Sequence, residues 1–117
     1  MIVLLTNDLF LGSRIASAAQ AAGIELRCAA SVDQALQTDA AEEVNGVLVD
    51  LELPGLDPRE LMKRLPQRPG RRVIAYGPHV HAPRLAAARE AGCDEVLSRG
   101  GLDRDLLAVL RRLDGPR

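Results

Sequence analysis

The chain has 117 residues, enough for one hydrophobic core and too few for two ordinary domains, so a single domain over 1–117 is expected. Apolar residues make up 47% of it and aromatics only 2%, so the core must be aliphatic, and base stacking on exposed rings cannot be a main activity. The formal charge of −1 hides an asymmetry: residues 1–60 hold 3 basic and 10 acidic side chains, a balance of −7, whereas residues 61–117 hold 12 and 6, a balance of +6.

No apolar run approaches the ~20 residues of a membrane span, and Met1 leads into strand-like sequence without a charged leader, so no membrane association is expected. Cys28 and Cys93 have neither CxxC spacing nor a disulfide framework. They read as small core residues in a reducing, cytoplasmic compartment. The Arg-heavy, nearly Lys-free composition suits a GC-rich bacterial genome.

In chain order, Ile2-Val3-Leu4-Leu5 predicts a first buried strand ending on the polar cluster Thr6-Asn7-Asp8. Leu11, Ile15, Ala18, Ala19 and Ala22 repeat at helical spacing up to Gly23, giving a first helix from Leu9 to Ala22. Residues 24–29 predict a short edge strand of mixed polarity, and Ser31-Val32-Asp33-Gln34 a capping box opening a short helix to about Ala41. Val47 to Asp50 predicts a strand buried on both faces. Pro54-Gly55 then forces a turn, and Asp57-Pro58-Arg59-Glu60 starts a helix, with Asp57 as N-cap and Glu60 completing a capping-box-like pair, that runs to Leu65.

Residues 72–76 predict the fourth strand. A loop holding His79 and His81 leads into a helix with Pro83 in its first turn, Leu85, Ala88 and Ala91 inward and Gly92 as stop. Glu95-Val96-Leu97 predicts a short fifth strand, and Leu102 to Leu113 a last amphipathic helix.

Five strands alternating with five helices imply a doubly wound α/β fold: a five-stranded parallel sheet, flavodoxin-like, in the common order 2-1-3-4-5. No GxGxxG or GxxxxGK[ST] is present, so dinucleotide and P-loop nucleotide binding are unsupported. In that order the first and third strands are neighbours, and Asn7, Asp8 and Asp50 converge at their carboxyl ends, where ligands bind in such sheets. Converging carboxylates need a cation or proton, and hard oxygen donors suit Mg²⁺.

The whole chain resembles the receiver domain of two-component response regulators. The strongest match is Val47 to Asp57, an apolar strand, an acid, and Pro-Gly four and five residues beyond it; residues 87–99 match the run from the fourth helix into the fifth strand. The resemblance implies Asp50 as phosphoacceptor and a possible Mg²⁺ held by Asp8, Asp50 and the Glu52 backbone carbonyl, with Asn7 in place of a further acid. It also implies a histidine kinase or phosphotransfer protein as donor. Departures are equally visible. The switch Thr or Ser falls on Gly77, the near-invariant Lys on Arg99, and the switch aromatic on Val96.

Two readings follow. One is a stand-alone atypical receiver, a signalling and protein-interaction module without an output domain, in which Asp50 accepts a phosphoryl group. The other is a pseudo-receiver scaffold indifferent to phosphorylation. Either would meet a protein partner or a second copy through the Arg84, Arg89, Arg104 and Arg111 region, with Arg99 and Arg112 nearby, and nucleic acid is not the expected partner. An enzyme is not expected. A third class, a small-ligand or metal-binding α/β protein, rests only on the carboxylates and on His79-x-His81. Phe10 is read as shielding the site or filling the core, and Tyr76 as packing.

Overall fold

The computed structural model describes residues 1–115. Its order is β1 (Ile2–Leu5), α1 (Leu9–Ala21), β2 (Leu26–Ala29), α2 (Val32–Ala41), β3 (Gly46–Asp50), α3 (Pro58–Arg64), β4 (Arg72–Gly77), α4 (Ala82–Glu90), β5 (Glu95–Ser98), α5 (Arg99–Arg104) and α6 (Leu106–Asp114). The strands form one parallel sheet in the order β2-β1-β3-β4-β5, as the alternation of elements predicts.

Alternate strand residues sort the core into two layers. Val3, Leu5, Val47, Val49, Val73 and Ala75 face one side, with Ala35 of α2, Leu61 of α3 and Leu85 and Ala88 of α4. Ile2, Leu4, Leu48, Ile74 and Tyr76 face the other, under Leu11, Ile15 and Ala19 of α1, Leu102 of α5 and Val109, Leu110 and Leu113 of α6. Burying each such aliphatic side chain contributes about 1.5–3 kcal/mol against the entropy of ordering the chain. At Gly46 the layers press hardest, since a Cβ there would stand 2.5 Å from the Leu113 carbonyl oxygen. No described helix is long and apolar enough to cross a membrane.

The last helix differs from expectation. The structure has six helices among the described residues, because the segment predicted over Leu102–Leu113 starts at Arg99 and breaks at Asp105, whose ψ of 25° leaves the helical range. The Ser98 hydroxyl accepts from the Gly101 amide at 3.0 Å, and this cap lets Arg99-Gly100-Gly101 wind despite two poor helix formers. Elsewhere the caps are nearly as predicted. Ser31 accepts from Gln34, whose side chain reaches back to the Ala30 amide, one residue beyond a capping box, and Asp57 accepts from Arg59 without an answering bond from Glu60.

The charge asymmetry resolves into ion pairs that join the two halves of the chain: Asp33 with Arg64, Asp39 with Arg68 and Arg71, Asp8 with Arg99, and Arg14 with Asp103. Cys28 lies exposed on the edge strand β2 and is not the core residue expected, whereas Cys93 packs half-buried against the core layer that holds α4. Partial desolvation raises both thiols, Cys93 to about 11 with help from Asp94, which favours the protonated form of each.

Candidate functional site

β1 and β3 end level, with Leu5 paired to Val49, so Thr6 and Asp50 follow at the same height. Both continue the Leu4 and Leu48 side of the sheet, and both are buried despite their polarity, Thr6 at 6% exposure and Asp50 at 5%. A buried carboxylate must be hydrogen-bonded. The Thr6 hydroxyl donates to Asp50 Oδ2 at 2.6 Å, and the Glu52 amide donates to Oδ1 at 2.9 Å. Thr6 Oγ1 in turn accepts from the Asp8 amide at 3.1 Å, so the two acids meet through Thr6.

Asp8 ends its strand as the N-cap of α1, its Oδ1 accepting from the Leu11 amide at 3.0 Å. Its Oδ2 accepts from Arg99 Nη2 at 3.3 Å. The Leu11 amide first, and then the charge and hydrogen bond of Arg99, hold the Asp8 carboxyl below its ordinary value against the opposing effect of burial. Each of the four carboxylate oxygens of Asp8 and Asp50 therefore accepts from a donor within the chain. Arg99 reaches Asp8, whereas no ion pair joins it to Asp50.

Tyr76 pairs with Asp50 across β3 and β4 and is 2% exposed, its packing role as predicted. Its hydroxyl is buried without a hydrogen bond among the described residues, and burial, then the Asp50 charge, raises its ionisation.

Asn7 is exposed at the edge. Glu52 contributes its amide to Asp50 while its carboxylate faces His81, whose Nδ1 is 3.6 Å from Oε1, beyond hydrogen-bond range. His79 is exposed. Phe10 is 83% exposed, standing in solvent beside Leu9 and therefore outside the core. At Gly77 a Cβ would meet Leu51 at 3.4 Å and Leu85 at 3.6 Å, ordinary contacts, so the missing hydroxyl is a matter of sequence and not of space. Val96 is half-buried against the layer that holds α4. Arg84, Arg89, Arg104 and Arg111 are exposed on α4, α5 and α6, on both sides of the edge strand β5.

The donors resemble a Mg²⁺ set in kind, two carboxylates and the Glu52 carbonyl, but not in arrangement. The position of a further acid is held by the neutral amide Asn7, and the Arg99 guanidinium stands on an Asp8 oxygen. Among the described residues no three His, Cys, Asp or Glu side chains are grouped to hold a metal ion. As built, the residues do not fit the ion.

The solved structures most like this one include a putative response regulator from Chloroflexus aurantiacus, with a TM-score of 0.81 and 23% identity over 97% of this chain and 95% of that one. The receiver domain of NtrX from Brucella abortus matches with a TM-score of 0.80 and 23% identity over 97% and 98% of the two chains. The receiver domain of sensor histidine kinase PA1611 from Pseudomonas aeruginosa, which has a magnesium ion coordinated in its active-site cleft, matches with a TM-score of 0.80 and 20% identity over 98% and 97%.

The fold is that of a response-regulator receiver domain. No protein-family model matches the chain. In sequence the receiver-fold chain is similar to the transcriptional activator protein ExaE of Pseudomonas putida, 34% identical over 93 residues, which are 78% of this chain and 43% of that protein. It thus spans less than half the length of that relative.

Sequence reasoning placed Asp8, Asp50 and Arg99 at one edge of the sheet and missed Thr6 and the Tyr76 hydroxyl. A Thr directly continuing a buried aliphatic strand is the signal that could have found the first.

Proposed function

We propose that this receiver-fold chain is a signalling module that binds a protein partner independently of phosphorylation at Asp50. The observation that carries this reading is the internal satisfaction of the acid pair, with Thr6 and the Glu52 amide on Asp50 and Leu11 and Arg99 on Asp8. A nucleophile already holding two short-range donors is poorly activated, and no side chain at Gly77 offers a hydroxyl to a transferred phosphoryl group. The proposed contact surface is acidic on the partner's side. It meets Arg84, Arg89, Arg104 and Arg111, which form no ion pair among the described residues, so binding weakens as salt rises. A bacterial cytoplasmic setting is part of the proposal.

A second reading keeps Asp50 as the acceptor for a histidine kinase or phosphotransfer protein, and its place at the end of β3 supports it. The magnesium in the similar receiver domain of PA1611 is in its favour too. Intact mass after incubation with Mg²⁺ and acetyl phosphate, beside Asp50→Asn, decides between them. The expected result is no phosphoryl gain on either protein; a gain on the wild type alone establishes the second reading.

A further inference from the structure

The acceptor crevice contains two acids and one permanent cation. Arg99 lies on Asp8 Oδ2 at 3.3 Å, and no other cationic side chain is paired with Asp8 or Asp50 among the described residues. We propose that Arg99 is the resident counter-ion of this crevice, occupying the electrostatic role of a divalent metal, so that the wild-type chain holds its site together without Mg²⁺ and disfavours the ion.

Three features of the chain support this. The first is placement. Ser98 pairs with Gly77 at the end of β5 and caps Gly101, which fixes Arg99 as the opening residue of α5 and aims it across the sheet edge at Asp8. The second is the chemistry of the side chain. An ammonium crowded by a metal can shed its proton, whereas a guanidinium stays charged at any pH a protein meets, so Arg99 can give way only by moving.

The third is the state of the acids. The Thr6 hydroxyl donates to one Asp50 oxygen and the Glu52 amide to the other, while the Leu11 amide donates to the remaining Asp8 oxygen. Every carboxylate oxygen in this set already has a donor. A divalent ion a few ångströms from a fixed positive charge, screened even as fully as in water, binds about tenfold more weakly than without that charge.

The inference deepens the proposed function and rests on it for its meaning, because a crevice that disfavours Mg²⁺ lacks the ion that would help Asp50 accept a phosphoryl group. The sequence supplies the probe. Tyr76 is the only Tyr and there is no Trp, so intrinsic fluorescence comes from one ring whose hydroxyl lies in the field of Asp50. Mg²⁺ is titrated through the millimolar range at constant ionic strength into wild type, Arg99→Gln and Arg99→Ala, reading Tyr76 fluorescence and the amide resonances of Asp8, Asp50 and Glu52.

The expected result is no saturable response in the wild type and a saturable one in both variants, about tenfold tighter or more. Saturation of the wild type at the same Mg²⁺ as the variants overturns the inference, and so does silence of all three proteins. Two substitutions at a half-exposed side chain guard against the misfolding of either. The titration needs no phosphoryl transfer, so failure of this inference, read as Mg²⁺ saturation of the wild type, is distinguishable from failure of the proposed function, read as a phosphoryl gain in the mass assay.

Discussion

Two acids are buried at opposite ends of the sheet, and they are held in opposite ways. Asp39, 4% exposed near the amino ends of β3 and β4, is gripped by Arg71, itself buried, and by Arg68 at 3.2 Å. Arg71 also bonds the carbonyls of Val44 and Pro66, so the cluster ties α2 to the segments before β3 and β4. Asp50, 5% exposed, has only a hydroxyl and an amide, and the nearest fixed cation is spent on Asp8. An acid with its own countercharge is a stitch. One held by neutral donors leaves no buried cation unpaired when its charge is removed.

Breaking each acid's support should expose the difference. Arg71→Ala, which leaves Asp39 buried beside one half-exposed arginine, should have the largest effect, a loss of about 3–5 kcal/mol in urea unfolding. Thr6→Val, nearly the same shape, strips one donor from Asp50 and should cost about 1–3 kcal/mol, whereas Asp50→Asn keeps an acceptor for Glu52 and should cost under about 1 kcal/mol. If Asp50→Asn destabilised the protein as much as Arg71→Ala, the contrast would collapse.

The smallest effect concerns Asp8. Its carboxyl is lowered in the folded chain, so its contribution is present above the unfolded value of 3.8 and lost as pH falls through the lower folded value. The stability gap between wild type and Asp8→Asn should therefore hold from neutral pH down to about 4 and close below it, as read from thermal unfolding across that range.

The order of strands, the two-sided core and the edge where Asp8 and Asp50 meet were legible because each depends on periodicity and turn residues, which are local. What was not legible depends on contacts across the chain. Thr6 and Asp50 are 44 positions apart, and Arg99 and Asp8 are 91 apart. The same holds for the charges. A balance of −7 against +6 separates the charges along the chain, but Arg64, Arg68, Arg71 and Arg99 pair with acids of the other half in space. The break at Asp105 escaped prediction because Leu102, Leu106, Val109 and Leu113 keep a helical spacing across it, so the apolar pattern alone reads as one helix.

The close approach at Gly46 bears on how the molecule is assembled in time. Leu113 seats against the first residue of β3, and α6 covers Ile2, Leu4, Leu48 and Ile74 from that side. During synthesis that face of β1, β3 and β4 therefore has only α1 and then α5 to cover it until residues 106–113 emerge, and the strand that carries Asp50 is completed by a late, long-range contact. A nascent fragment ending before Leu106 leaves exposed the part of that aliphatic face which Val109, Leu110 and Leu113 cover in the complete fold.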